Sequence, residues 1–237
     1  METFPQVVTV KDQSQGLNYT KEILYKKSDN QTLLLLSGGS TPRNLYETLA
    51  HEKKLTVGAV GMVDERADRS NFEMIKKTGL LSYFEEEKVP FGPILQLHPK
   101  GVASDFAKDY GGQIKHLLGH YSKSIAIMGI GEDGHTAGLP SGIFNSQFPI
   151  SNNEDLVTNI DNFPGEFRER ITLTFKALSQ MDLLIILAFG SSKQNALKKM
   201  FDPTDSSGQE AMEEIPARFY LRPDIAPKTI LITDQKI

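Results

Sequence analysis

No cysteine occurs among the 237 residues of this chain. That absence excludes disulfides, thiol nucleophiles and cysteine-ligated zinc, and it suits a reducing compartment. No apolar run is long enough to cross a bilayer. The longest, Leu183 to Phe189, falls far short of the roughly 20 residues a spanning helix needs. The N-terminus, Met1-Glu-Thr-Phe-Pro-Gln-Val-Val8, has no basic segment followed by an apolar core, so no secretory signal is expected. Basic charge is not in excess either: 26 Lys and Arg stand against 30 Asp and Glu, a formal net charge of −4. A nucleic-acid binder usually shows a net basic surface or a dense basic stripe, and neither is present. We therefore expect a cytoplasmic protein with no nucleic-acid and no membrane partner. An anionic small molecule stays open, because a phosphate needs a few local donors rather than a basic whole protein.

What is present reads as an ordinary globular chain, 39% hydrophobic and 24% charged. No repeat or low-complexity linker divides it, and its length suits one α/β domain over residues 1–237. Apolar runs of strand length alternate with amphipathic stretches. Thr32–Ser37, Val57–Val63, Ser124–Met128, Leu183–Phe189 and Lys228–Thr233 read as strands, and Leu156–Ile160 and Ile171–Thr174 alternate as strands do. A helix is predicted with Pro42 in its first turn and Thr41 as its N-cap. Others are predicted over Asn71–Lys77, Val102–Leu118 (Phe106, Tyr110, Ile114 and Leu117 at helical spacing) and Lys193–Met200. Asp202 to Glu214 reads as a surface excursion. Strands alternating with helices predict an α/β fold with a mostly parallel sheet flanked by helices. Ligands of such sheets bind beyond the carboxyl ends of the strands. Four polar clusters fall at those ends: Ser37–Thr41, Asp64–Arg66, Gly129–His135 and Gly190–Lys193.

Each cluster suggests chemistry. In Ser37-Gly-Gly-Ser-Thr-Pro42, Gly38 and Gly39 let the backbone approach an anion. The amides of the helix start and the Ser40 and Thr41 hydroxyls can donate to phosphate oxygens. The run is neither a Walker A loop nor Gly-x-Gly-x-x-Gly, so an ATP or NAD site lacks support. Its plainer alternative is a tight capped turn. Lys193, in Gly190-Ser-Ser-Lys193, can add a point charge to the same phosphate, or can be a solvated lysine. In Asp64-Glu65-Arg66, Asp64 can orient water or a sugar hydroxyl and Arg66 can hold an anion; an exposed ion-pair cluster is the alternative. Gly129-Ile-Gly-Glu-Asp-Gly-His135 is the most specific run. Histidine suits proton transfer near neutral pH, and Asp133, two residues away, can fix its tautomer. His51, His98, His116 and His120 sit in ordinary contexts. The i, i+4 spacing of His116 and His120 lacks the intervening glutamate of a zinc-protease motif. A serine hydrolase is also disfavoured, since no Gly-x-Ser-x-Gly elbow occurs and nothing marks Ser141 as activated.

Five runs together resemble the 6-phosphogluconolactonase family, within the wider group that includes glucosamine-6-phosphate deaminases. They are Ser37-Gly-Gly-Ser-Thr-Pro42, Val63-Asp-Glu-Arg66 with Ser70-Asn71, Gly129-Ile-Gly-Glu-Asp-Gly-His135-Thr-Ala137, Arg170-Ile-Thr-Leu-Thr174 and Gly190-Ser-Ser-Lys193. The resemblance implies a three-layer sandwich with a Rossmann-like sheet. It implies that Gly39, Ser40, Thr41 and Lys193 hold the substrate phosphate, with Arg66 and Arg170 on phosphate or sugar oxygens. His135 is then the general base, supported by Asp133, and no cofactor or metal is expected. The implied partner is a small phosphorylated sugar lactone, and the implied reaction is hydrolysis of 6-phospho-D-glucono-1,5-lactone in the pentose phosphate pathway. We expect a monomer or weak homo-oligomer. Gly138-Leu-Pro140 stands where the family commonly has Ser-Leu-Phe-Pro, a change expected to border the pocket.

Two other functions stay in view. Glucosamine-6-phosphate deaminases share the glycine-rich loops but usually carry Asp-Glu-Tyr and a glutamate shortly after the histidine; Thr136–Gly142 contains no acid. A non-catalytic sugar-phosphate sensor would need an output module, and no helix-turn-helix extension or basic tail is found.

Overall fold

The computed structural model describes residues 4–92, 103–142, 155–202 and 209–237. In chain order the elements are β1 (Gln6–Thr9), α1 (Gln13–Lys27), β2 (Thr32–Leu36), α2 (Arg43–Glu52), β3 (Ala59–Met62), β4 (Asp64–Arg66), α3 (Ser70–Lys77), α4 (Leu80–Glu86), β5 (Phe91–Gly92) and α5 (Ala103–His120). Then follow β6 (Lys123–Gly129), β7 (Val157–Ile160), β8 (Arg170–Leu173), α6 (Phe175–Leu178), β9 (Leu183–Ala188), α7 (Gln194–Phe201), α8 (Gln209–Glu214) and β10 (Thr229–Thr233). Short 3-10 turns lie at Ser191–Lys193 and Pro216–Leu221. His98 and residues 203–208 of the predicted surface excursion lie outside the described residues.

Seven strands form one sheet in the order β1-β10-β9-β6-β2-β3-β5, and every neighbouring pair is parallel. Parallel strands covered by helices on both faces must be apolar along their whole length. Leu33 to Leu36 of β2 and Leu184 to Ile186 of β9 are accordingly fully buried. From β2 the chain moves outward through β3 and β5, then returns to β6 and moves outward the other way through β9 and β10. The strand order therefore reverses between β2 and β6. The loops leaving these two strands diverge there and open a crevice. That crevice is bounded by Ser37–Thr41 and Gly129–His135, two of the four clusters.

A second sheet was not foreseen. Asp64-Glu65-Arg66 does not simply end the preceding strand; it is β4, which pairs antiparallel with β8, and β8 pairs antiparallel with β7. The chain leaves the parallel sheet at Val63, whose carbonyl accepts from the Leu173 amide at 2.9 Å. Helix α1 was missed because its buried side is Gly16, Leu17, Thr20 and Leu24 rather than an apolar stripe. Gly16 is small because a Cβ there would lie 2.4 Å from the Phe189 ring. The predicted Thr41 cap is corrected: α2 starts at Arg43 with Pro42 as its N-cap residue, and no side chain caps it. The Thr41 hydroxyl is thus left for other use.

Candidate active site

The four clusters meet in one cleft of about 500 Å³ at the crevice between β2 and β6, within the size range of small-molecule sites. Its lining includes Gly38, Gly39, Ser40, Thr41, Asp64, Arg66, Asp133, His135, Arg170 and Lys193. The residues given a catalytic or phosphate-binding role from sequence therefore line one space.

The His135 turn is built to hold one ring orientation. Asp133 Oδ1 lies 2.6 Å from His135 Nδ1 and also accepts from the His135 amide at 3.1 Å. A carboxylate accepts, so Nδ1 carries the hydrogen, and in the neutral ring the lone pair is therefore on Nε2. Burial works to raise the Asp133 carboxyl, but its contacts with His135 outweigh this and hold it at about 2. Asp133 therefore stays a carboxylate throughout the range where a histidine base works. The Gly131 amide donates to the His135 carbonyl at 2.8 Å, and the Gly134 amide to the Gly131 carbonyl at 3.1 Å. Gly134 adopts φ +93, which a side chain disfavours. Phe163 meets the His135 ring edge-on, with centroids 5.1 Å apart.

Across the cleft, the Ser37–Thr41 loop needs its glycines for separate reasons. A Cβ on Gly38 would overlap the Asn71 side chain at 2.0 Å, and Gly39 has φ +91. Tyr46 of α2 donates its hydroxyl to the Ser37 carbonyl at 2.9 Å and braces the loop from behind. Lys193 ends the 3-10 turn before α7 rather than sitting inside that helix. The Gly190 amide ahead of it donates to the Asp234 carboxylate at 2.9 Å.

The second sheet supplies the arginines. Arg66 on β4 and Arg170 on β8 are direct cross-strand partners. Like charges placed opposite one another are destabilising, so this register favours an anion between or beside them. Arg170 is 8% exposed, lies 3.8 Å from Asp64 and packs 3.5 Å above the Phe163 ring. Burial lowers its guanidinium below the ordinary value, while Asp64 pulls it back up and Arg66 pushes it down. The Nε atoms of both arginines are buried and have no hydrogen-bond partner among the described residues. Arg66 packs on Phe167 and donates to Ser70 Oγ at 3.3 Å; among the described residues it pairs with no acid. Asp64 is 5% exposed and accepts from Asn71 Nδ2 at 3.2 Å. Burial raises its carboxyl, against the opposing pull of Arg170, His135 and Arg66.

Glu65 alternates to the other side of β4 and does not line the cleft. It is 1% exposed and accepts the amides of Arg66, Asn71 and Phe72 at 2.7, 3.0 and 2.8 Å. It thereby ties β4 to the first turn of α3 and sets Asn71 against Gly38. Burial pushes its carboxyl up to about 7 against those three donors. The native state holds this proton more tightly than the unfolded chain, so ionisation between about pH 4.5 and 7 costs stability. We expect the wild-type melting temperature to fall more steeply across that window than that of Glu65→Gln. The variant should melt lower throughout, because its Nε2 cannot accept from Phe72. Parallel slopes in thermal melts at pH 5 and pH 7.5 would contradict this.

Reading from sequence missed Phe163 and Pro164, which line the cleft from the loop joining β7 to β8. An isolated aromatic in a Pro- and Gly-containing loop has no periodic signal. The altered Gly138-Leu-Pro140 turns away from the cleft, contrary to expectation. The Gly138 amide donates to Thr172 Oγ1 at 2.9 Å, Leu139 is 1% exposed, and it is the preceding residue, Ala137, that lines the site. His116 and His120 stack on each other at 6.0 Å. Among the described residues no cluster of three or more His, Cys, Asp or Glu is placed to hold a metal ion. Nor is any described helix long and apolar enough to cross a membrane.

Fold and cleft together define an α/β protein with a parallel sheet flanked by helices and a cationic, histidine-bearing site at its switch point. The chain belongs to the glucosamine-6-phosphate isomerase/6-phosphogluconolactonase family, whose model matches residues 16–226. It is 30% identical to 6-phosphogluconolactonase of Thermotoga maritima over 190 residues, covering 77% of this chain and 80% of that one. It is 25% identical to glucosamine-6-phosphate deaminase of Lactobacillus johnsonii over 234 residues, covering 90% and 88%. In fold it is similar to the solved 6-phosphogluconolactonase of Trypanosoma cruzi, with a TM-score of 0.74, 21% identity and coverage of 98% and 95%.

Proposed function

We propose that this protein hydrolyses 6-phospho-D-glucono-1,5-lactone to 6-phosphogluconate, as a step of the pentose phosphate pathway. The observation that carries the proposal is the Asp133-held His135 in the same cleft as the opposed Arg66 and Arg170. A proton acceptor and a site for a phosphorylated substrate are thereby joined. The proposed enzyme is a single cytoplasmic domain, a monomer or weak homo-oligomer.

In this account Gly39, Ser40, Thr41 and Lys193 hold the phosphate, with Gly38 shaping the loop. His135 Nε2 takes a proton from water as the water oxygen bonds to the lactone carbonyl carbon. The carbonyl π electrons move onto oxygen. The turn is a poor oxyanion hole, because its Gly131, Gly134 and His135 amides are already donated internally. The oxyanion is therefore assigned to an arginine, and Arg170, buried and held between Asp64 and the Phe163 ring, is the better placed by rigidity. Asp64 orients Arg170 and a sugar hydroxyl. When the intermediate collapses, the bond from carbonyl carbon to ring oxygen breaks and the imidazolium returns its proton to that oxygen. Each step uses water or a side chain, so no cofactor or metal is invoked.

Comparing three compounds tests the substrate class. We expect acceleration with the phosphorylated lactone, little with unphosphorylated glucono-1,5-lactone, and no ammonium from glucosamine 6-phosphate. Ammonium release without lactone hydrolysis would transfer the chain to the deaminase reaction. Lys193→Ala should raise KM by on the order of 10- to 100-fold, the loss of one charge-assisted contact, with kcat nearly unchanged. An unchanged KM would remove Lys193 from the phosphate site.

A further inference from the structure

The catalytic turn does not stand by itself. Its neck is closed by Thr136, the residue after His135, which is fully buried and forms isolated bridges with Ile130 and Leu139. Thr136 Oγ1 donates to the Gly129 carbonyl at 2.9 Å, at the end of β6. The same oxygen lies 2.5 Å from the Tyr220 hydroxyl. A hydroxyl has one hydrogen to give. Since that of Thr136 is spent on Gly129, Tyr220 must be the donor. The chain of hydrogen bonds is directed, from Tyr220 O–H to Thr136 O–H to the Gly129 carbonyl.

Tyr220 is fully buried and belongs to the 3-10 turn Pro216–Leu221, more than 80 residues from the site in sequence. The segment containing that turn touches the catalytic turn twice more. The Ala217 amide donates to the Gly134 carbonyl at 3.0 Å, and the Ile215 side chain leaves no room for a Cβ on Gly134, at 2.9 Å. The segment is itself anchored. Phe219 stacks on Phe175 at 4.7 Å, and Arg218 donates through Nε and Nη2 to the Lys199 carbonyl of α7. Burial raises the Tyr220 phenol, so it remains a neutral donor at any working pH. The chain just after β2 and the end of β3 have the same kind of brace. Tyr46 donates to Ser37, and Tyr110 both donates to and accepts from the Met62 backbone at 2.7 Å, just before β4. Neither of those hydroxyls reaches the residue adjoining the base; that of Tyr220 does.

We propose that Tyr220 is a positioning residue for His135, acting through Thr136 to keep the imidazole on Asp133 with Nε2 free. The proposal rests on His135 as the base. Tyr220→Phe keeps the ring and the packing and removes one hydroxyl. The expected result is a fall in kcat of about 10-fold, within the loss that sub-ångström misplacement of a catalytic group can cause, with KM for the phosphorylated lactone within about 2-fold because the phosphate loops are untouched. Thr136→Val should do the same, Thr136→Ser should retain activity, and the double variant Tyr220→Phe/Thr136→Val should be no worse than either alone. Ring-nitrogen NMR shifts of His135, assigned by loss of its signals in His135→Asn, give a readout independent of turnover. The wild type should show a single Nδ1–H tautomer, and Tyr220→Phe a mixture. Mixed tautomers with undiminished kcat would uphold the positioning role and remove His135 as base. An unchanged His135 spectrum in Tyr220→Phe, or losses in the two single variants that add in the double, would overturn the proposal.

Discussion

His135→Ala is expected to lower kcat by about 100- to 10,000-fold, the range over which a positioned general base contributes. KM should change little, because the groups assigned to the phosphate lie on other loops. The fold should survive: His135 sits on a partly exposed turn, its side chain 28% exposed, and its removal opens no core cavity. Initial rates on freshly made lactone, corrected for spontaneous hydrolysis, are the measurement. Folded His135→Ala with wild-type kcat would mean that water is activated by another group.

Gly131→Ala should be nearly as damaging, for a purely steric reason. Gly131 is absent from the positive-φ residues of the chain, so the backbone itself admits alanine. The new Cβ, however, would lie 2.0 Å from His135 Nδ1, 2.2 Å from Cε1 and 2.7 Å from Asp133 Oδ1. The ring must leave Asp133 to relieve the clash, and the cleft beside it gives it somewhere to go. We expect kcat to fall about 100-fold, the cost of roughly an ångström of misplacement, with KM and melting temperature close to wild type. Product binding, read by calorimetry with 6-phosphogluconate, should persist. Wild-type kcat in Gly131→Ala would show that the Asp133–His135 pair is dispensable.

The parts of this molecule that sequence reveals are those where one physical demand dominates. Strands β2, β6, β9 and β10 must be apolar on both faces, so each reads as an unbroken hydrophobic run. The polar loops after β2, β6 and β9 stand out by contrast, and parallel topology carries them to one rim. Where two demands compete, the signal weakens. Helix α1 packs a glycine and a threonine against the sheet, so its amphipathic pattern is faint. In β4 three charged residues form a strand, because Asp64 pairs with Arg170, Glu65 holds the start of α3, and Arg66 faces the cleft. As a triplet they read equally well as exposed charge. The tyrosines Tyr46, Tyr110 and Tyr220 are apolar in any periodicity count. Their function lies in the hydroxyl, whose partner is set by tertiary packing. Phe163, beneath Arg170 and against His135, has no local signature at all.

Acid release from freshly prepared 6-phospho-D-glucono-1,5-lactone, followed in a pH-stat at neutral pH with and without the purified protein, decides whether the His135 cleft hydrolyses the lactone. The rate should rise in proportion to protein concentration, saturate with lactone and drop to near the spontaneous value in His135→Ala. A rate with wild-type protein equal to the spontaneous one would contradict the proposed hydrolysis.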